Sequence, residues 1–315
     1  CLISSPTYDP NLLVGVKRAK NYQLLAANDS LNPLFNRALM AKYPPGSIFK
    51  LIQSLIGLEA QVITERTGIS CNKALVGCHN HPNCQNLREA IQMSCNPYYH
   101  EVFRRLINRN EAKSYFEDSA LGMEKWSSNV RRFGLGSSLA LDLPNLKAGS
   151  VPDASFYDKI YGKRRWAFST IYSLSIGQGE LEVVPIQMAN LAGIIANKGY
   201  YIDPHLIKTI EDTSQTLNWQ RHDTGIDTAY FRPIIDAMEW VVSKPGGTAR
   251  RARIDGIKVC GKTGTAENPH GKDHSVFIAF APKNDPQIAV AVYVENSGFG
   301  GTWAAPIASL MIEKY

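Results

Sequence analysis

The chain has no apolar run approaching the roughly 18 residues that a membrane-spanning helix requires. Its longest apolar stretch, IQMANLAGIIA around Ile194, is interrupted by Gln, Asn and Gly. It has no internal repeat and no low-complexity tract, which excludes solenoids and disordered tails as overall descriptions. It has no large excess of either charge: 34 Lys and Arg stand against 28 Asp and Glu, a formal net charge of +6 that gives no argument for nucleic acid as a partner. The arginine pairs (Arg131 with Arg132, Arg164 with Arg165, Arg250 with Arg251) are scattered, as on a solvated surface. Six cysteines are too few to staple 315 residues into a disulfide scaffold. His100, His205 and His270 lack an acidic partner at a recognisable spacing, which argues against a Ser, His, Asp triad. The chain opens on neither an initiator Met nor a signal peptide. Its first residues, Cys1, Leu2 and Ile3, read as the inside of a strand and predict a fragment whose N-terminal part lies upstream; a lipid-modified Cys1 is the alternative.

What is present suffices for a folded enzyme-sized unit. With 44% hydrophobic and 20% charged residues over 315 positions, the chain can bury a large core and has room for about two ordinary domains or one large one. Ser47 to Gln61 (SIFKLIQSLIGLEAQ) is apolar on almost every side, the pattern of a helix buried all round. Tyr43, Pro44, Pro45 and Gly46 stop whatever precedes it and place the helix start near Ser47, a residue suited to capping. Cys71 to Cys84 reads as loop, and Asn86 to Arg105 as helix, a break around Pro97, and helix again. Further helices are predicted from Val184 to a C-cap at Gly199, from Phe231 to Val242 and from Trp303 to Tyr315. IKVCGKTGT, SVFIAFAP and QIAVAVYVE are three strand-like runs at the spacing of an antiparallel meander. Helices before and after such a sheet predict an α+β architecture with helices on the sheet faces.

Three short patterns carry the chemistry. Ser47 and Lys50 form S-x-x-K, three apart on a helix and therefore on one face. A lysine within an apolar helix loses part of its preference for the charged form and can take a proton from a neighbouring hydroxyl. The pattern is cheap, and the bland reading of an N-capping Ser47 with a snorkelling Lys50 competes with it. A second copy, Ser70 with Lys73, sits in a loop with no apolar shell and is set aside. S-x-N occurs at Ser30, Ser70, Ser94 and Ser127, and Ser94 with Asn96 is favoured because it follows a helix and precedes Pro97. The only K-T-G is Lys262, Thr263 and Gly264, followed by Thr265, on a predicted strand. There Gly264 permits close approach of a ligand, while Lys262 and Thr265 offer charge and hydrogen bonds.

S-x-x-K, S-x-N and K-T-G in this order are the set shared by penicillin-binding proteins and class A β-lactamases. YPPGSIFK at Tyr43, SCN at Ser94, SIGQGELEVVPIQMAN from Ser175, GKTGTAE from Gly261, and then HSVFIAFAP and VYVENSGFGG resemble the transpeptidase domain of class B penicillin-binding proteins, most of all the elongation-type penicillin-binding protein 2. The resemblance spans essentially the whole chain. It implies a five-stranded antiparallel sheet flanked by helices plus an all-α subdomain, with residues 1–40 and 245–315 in the sheet subdomain and 41–244 in the mostly helical one. It implies a peptidoglycan D,D-transpeptidase inhibited covalently by β-lactams, with a D,D-carboxypeptidase or a β-lactam-binding sensor of the same fold as alternatives. Between Ser94 and Lys262 no E-x-x-x-N stretch resembles the class A β-lactamase deacylation loop.

By that resemblance Ser47 is the acylated nucleophile, Lys50 its base, Ser94 a proton relay, Asn96 a substrate holder and Lys262 the residue that keeps the network charged. Thr263 and Thr265 bind the donor carboxylate, with Gly264 between them, and the N–H groups of Ser47 and Thr265 form the oxyanion hole. The implied partners are peptidoglycan stem peptides, β-lactams, and a glycan polymerase with other elongation proteins reached through an upstream anchor and pedestal. The implied location is the periplasmic side of an inner bacterial membrane.

Catalysis of this kind needs no cofactor, yet Cys71, Cys78, His79, His81 and Cys84 supply enough thiolate and imidazole for a tetrahedral zinc site. The spacing C-x6-C-H-x-H-x2-C is not that of a standard finger, and in an oxidising compartment two of these cysteines could pair instead. Penicillin-binding protein 2 relatives resemble the chain in carrying Cys and His shortly before the S-x-N turn. Structural zinc, a disulfide and free thiols remain as three readings.

Overall fold

The computed structural model describes residues 1–207 and 219–315. Its centre is the helix Lys50–Glu59, in which every residue from Lys50 to Leu58 is buried. Leu51, Ile52, Leu55, Ile56 and Leu58 supply the reason, since each buried aliphatic side chain contributes roughly 1.5–3 kcal/mol. That sum is large enough to carry three buried polar residues on the same helix, Lys50, Gln53 and Ser54. Gln53 is matched by the Trp126 indole, which donates to its Oε1 at 2.9 Å. Trp126 also stands edge-on to Phe49 and Phe103, with ring centroids 5.7 and 5.3 Å away. The helices Asn96–Ile107 and Tyr115–Arg131 complete this packing.

The helix–break–helix reading is met with its break moved. Leu87–Gln92 ends before the turn at Met93, Ser94 and Cys95, and Pro97 lies in the first turn of Asn96–Ile107. A proline is tolerated there because the missing N–H would have had no intrahelical partner.

β1 (Tyr200–Ile202) and β2 (Arg221–Asp223) form a small antiparallel pair. β3 (Cys260–Ala266), β4 (His274–Ala281) and β5 (Ile288–Val294) form the main antiparallel meander, with Lys262 opposite Ile278 and Val276 opposite Tyr293. β4 is buried at every residue except the half-buried His274. Successive strand residues point to opposite faces, so both faces of β4 are covered. The helices Pro185–Ala196, Phe231–Ser243 and Ala304–Lys314 pack against the sheet.

The α+β expectation holds, but the sheet has three strands among the described residues rather than five. The opening Cys1, Leu2 and Ile3 are not a strand, and residues 1–40 contribute no rung to the ladder. No rung of the ladder involves residues 1–3, and an extended segment without a ladder is not a strand. Residues 1–40 instead hold a short turn of helix at Pro10–Leu13 and helices Arg18–Ala26 and Arg37–Met40. Arg37 ties this segment to the end of β5 through Glu295, Nε to Oε2 at 3.2 Å.

Candidate active site

Ser47 lies in a 3-10 turn, Gly46–Phe49, that leads into the central helix. The residue at the head of that turn is Pro45, and no side chain caps it. Lys50 is fully buried. The reading of a capping serine with a snorkelling lysine is therefore overturned: the lysine points into the protein.

Its ammonium is held from three sides. Lys50 Nζ donates to the Ser94 carbonyl at 2.7 Å, to Ser94 Oγ at 3.2 Å and to Asn96 Oδ1 at 2.5 Å. The Tyr99 ring lies 5.5 Å away, and Ser54 Oγ links Tyr99 Oη, at 2.7 Å, to the Lys50 carbonyl, at 2.8 Å. From the sheet, Lys262 Nζ donates to the same Ser94 Oγ at 2.8 Å and to the Thr263 carbonyl at 3.0 Å. Ser94 is thus a hydroxyl shared by two lysines that are far apart in the chain. Its backbone has φ +54°, a left-handed conformation uncommon for a residue other than glycine, and such strain persists where the surroundings over-determine it.

Burial dominates the electrostatics. Desolvation lowers the Lys50 pKa from its ordinary 10.5 to about 8, with the neighbouring cysteines acting in the opposite direction. Lys262 is held well below its ordinary value, first by burial and then by the charge of Lys50. Two ammonium groups around one hydroxyl, both out of water, make a neutral amine accessible near physiological pH, which is what a general base requires.

The strand side closes the site at short range. Thr263 Oγ1 meets Thr248 Oγ1 at 2.7 Å. A Cβ on Gly264 would stand 3.0 Å from the Pro45 carbonyl oxygen, so β3 runs against the turn that carries Ser47. Gly46, at φ +57°, lies against Thr265: a Cβ there would be 2.6 Å from its carbonyl oxygen and 3.3 Å from its nitrogen. The structure thus brings Ser47, Lys50, Ser94, Asn96 and the Lys262–Thr265 segment to one place. A 240 Å³ cavity lined by Ile56, Glu59, Lys125 and Trp126 and a 340 Å³ cavity lined by Phe116, Leu121 and Arg164 involve none of these residues.

The chain matches the "Penicillin binding protein transpeptidase domain" family over residues 1–313. It belongs to the penicillin-binding protein transpeptidase family. It is 29% identical to the peptidoglycan D,D-transpeptidase MrdA of Acinetobacter baumannii, an alignment covering 100% of this chain and 48% of that protein. The chain therefore spans about half the length of the curated relatives it matches. Among solved structures, penicillin-binding protein 2 of Pseudomonas aeruginosa, in complex with WCK 5153, superposes with a TM-score of 0.81 at 32% identity, over 99% of this chain and 67% of that one. The penicillin G acyl-enzyme complex of penicillin-binding protein A from Mycobacterium tuberculosis gives 0.75 at 28% identity, over 99% and 70%.

Beside these residues sits a sulfur and imidazole cluster. The donor atoms of Cys71, Cys78, His81 and Cys95 all lie within 4.8 Å of one another. His81 Nε2 is 3.5 Å from Cys71 Sγ and 3.2 Å from Cys78 Sγ, while its Nδ1 meets the Pro82 carbonyl at 2.6 Å. All six cysteines are free thiols. Two of the predicted ligands are displaced. Cys84 is buried at its bridge with Ile69 and stands outside the set, and His79 only reaches 4.0 Å from Cys78 Sγ through Nδ1. The fourth donor is Cys95, the middle residue of the S-x-N turn, which a reading confined to the loop could not supply. The cluster touches the S-x-N turn directly: Asn96 donates from its backbone N–H to Cys78 Sγ at 3.4 Å and from Nδ2 to the Gly77 carbonyl at 2.6 Å.

Two residues of the site escaped sequence reasoning. Thr248 has no pattern beyond a glycine-rich turn. Gln178, whose Nε2 donates to the Thr265 carbonyl at 3.2 Å, lies in SIGQGELEVVPIQMAN, a stretch whose family resemblance is plain but whose composition alone suggests only a turn.

Proposed function

We propose that the chain is the catalytic domain of a peptidoglycan D,D-transpeptidase that works through an acyl-enzyme on Ser47. Lys50 takes the Ser47 proton as Oγ attacks the carbonyl between the two D-alanines of a stem peptide. The C–N bond breaks, a proton reaches the leaving amine by way of Ser94, and D-alanine departs. An amine of a second stem peptide then attacks the ester, loses its proton to the same network and returns the hydroxyl to Ser47. Asn96 holds Lys50 and the donor's amide, Lys262 donates to the relay hydroxyl of Ser94 from the strand side, and Thr263 and Thr265 receive the terminal carboxylate beside Gly264. The Thr265 N–H, close to Gly46, and that of Ser47 receive the oxyanion, the role in which fixed donors contribute most. The observation that carries this reading is the convergence of Lys50 and Lys262 on one hydroxyl, Ser94 Oγ, at 3.2 and 2.8 Å. A penicillin enters the same path and stops at the ester.

The Cys71, Cys78, His81 and Cys95 set fits a structural zinc ion. Tetrahedral zinc with thiolate and imidazole ligands spaces its donors roughly 3.5–3.8 Å apart, and the His81 Nε2 distances of 3.5 and 3.2 Å are close to this. With His81 Nδ1 engaged by a carbonyl, Nε2 is the nitrogen left for metal, the usual arrangement behind a ligating histidine. A bound ion would neutralise the thiolates and hold Gly77 and Cys78 in place against Asn96.

The full-length protein acts at the cell envelope, anchored in the membrane and working with a glycan polymerase. In support, penicillin-binding protein 2 of Helicobacter pylori, a structural relative of this chain, has been solved in complex with MreC, and another structural relative belongs to a peptidoglycan synthase complex that coordinates polymerization and crosslinking.

Intact-mass measurement after incubation with benzylpenicillin tests the assignment. A persistent adduct of the whole penicillin mass is expected, lost in Ser47→Ala and slowed by orders of magnitude in Lys50→Ala. An adduct that survives Ser47→Ala, or none in the wild type, would refute the nucleophile.

A further inference from the structure

Gln178 takes no part in the chemistry above, yet it sits at the seam where that chemistry is assembled. Three backbone segments meet there with glycine at each contact. Gly46 N–H donates to the Gly177 carbonyl at 2.9 Å. Gly177 has φ +74°, and a Cβ on it would come within 2.2 Å of the Gly46 carbonyl oxygen. Gly46 in turn lies against Thr265. Gln178, buried and next in the chain, donates from Nε2 to the Thr265 carbonyl at 3.2 Å.

Thr265 pairs with Ser275 of β4, but its N and O both face Gly46 and so point away from β4. They belong to the free edge of β3. An edge of this kind recognises an extended peptide by strand addition, in which the ligand's own N–H reaches for the strand carbonyl. A carbonyl oxygen has two lone pairs and can accept from both donors at once.

We propose that Gln178 is a positioning residue, which keeps the Thr265 carbonyl satisfied and the β3 edge aligned with the Ser47 turn until a ligand N–H arrives. The proposal rests on the reading of Ser47 as nucleophile. It predicts that the need for Gln178 depends on the ligand. A ligand with an N–H beside its reactive carbonyl replaces part of what Gln178 supplies, and one without it cannot.

Acylation kinetics followed by intact mass with two probes test this. Benzylpenicillin carries a side-chain amide N–H next to the lactam carbonyl; penicillanic acid sulfone carries no side chain there. In Gln178→Ala, and in Gln178→Met, which keeps the length and removes the donor, both rates fall. The sulfone falls further, so the ratio of the two rates rises roughly fivefold, the equivalent of one hydrogen bond. An equal loss for both probes, or no loss, in a variant with a cooperative melt would overturn the proposal. A wild type that neither probe acylates would overturn the Ser47 reading itself and this inference with it. Should the alanine variant fail to fold, the methionine variant decides between the same outcomes.

Discussion

The rate of Ser47 acylation should follow the neutral form of Lys50 as pH rises. Burial lowers that lysine from 10.5 to about 8. At pH 7 about a tenth of it is then neutral, against roughly one part in 3,000 for an unperturbed lysine, so burial supplies a factor of about 300 in available base. The expected profile for benzylpenicillin, measured by stopped-flow between pH 6 and 9.5, rises close to tenfold per pH unit at the acidic end and levels off near pH 8. The same shift has a stability counterpart with a definite sign. The unfolded lysine holds its proton up to about 10.5, whereas the folded one releases it near 8. Between those values the unfolded state binds more protons, so stability rises with pH across that window. Below about 8 both states are protonated, and the cost of burying the ammonium, on the order of 3 kcal/mol, is present in full. A flat acylation profile from pH 6 to 8.5, or a limb that continues to climb past pH 9.5, would refute Lys50 as the base.

Two further outcomes are expected. Gly46→Ala forces a Cβ to within 2.6 Å of the Thr265 carbonyl at a backbone φ of +57°, and is expected to slow acylation at least about tenfold and lower the melting temperature by a few degrees; an unchanged rate would show that the Gly46–Thr265 contact does not hold the site. For the metal, elemental analysis of the purified chain should give one zinc, lost in Cys95→Ser and Cys78→Ser and kept in Cys84→Ser, with chelation lowering the melting temperature of the wild type. Zinc that survives Cys95→Ser but not Cys84→Ser would restore the ligand set read from the loop alone.

Much of the framework is local in origin and was legible in one dimension. The all-apolar character of Ser47 to Gln61 demanded a helix buried on every side, and the structure buries Lys50 to Leu58 without exception. The alternation and turn spacing from Cys260 to Val294 produced the meander of β3, β4 and β5. The glycine and prolines before Ser47 located the turn that presents it. These signals survive because periodicity and turn chemistry act over a few residues.

What the tertiary structure decided is everything that depends on residues distant in the chain. Whether Lys50 reaches water or the interior was open until Ser94, 44 positions later, supplied its partners. Lys262 finds the same hydroxyl from 168 positions away. Cys95 replaces Cys84 in the sulfur cluster because the S-x-N turn folds back onto the loop, and Gln178 reaches Thr265 across 87 residues. The number of strands in the sheet was likewise settled by pairing, which a three-residue apolar run cannot announce. A helix or a turn is chosen by neighbours along the chain, but a lysine's charge, a thiol's partner and a strand's ladder are chosen by whatever the fold brings alongside.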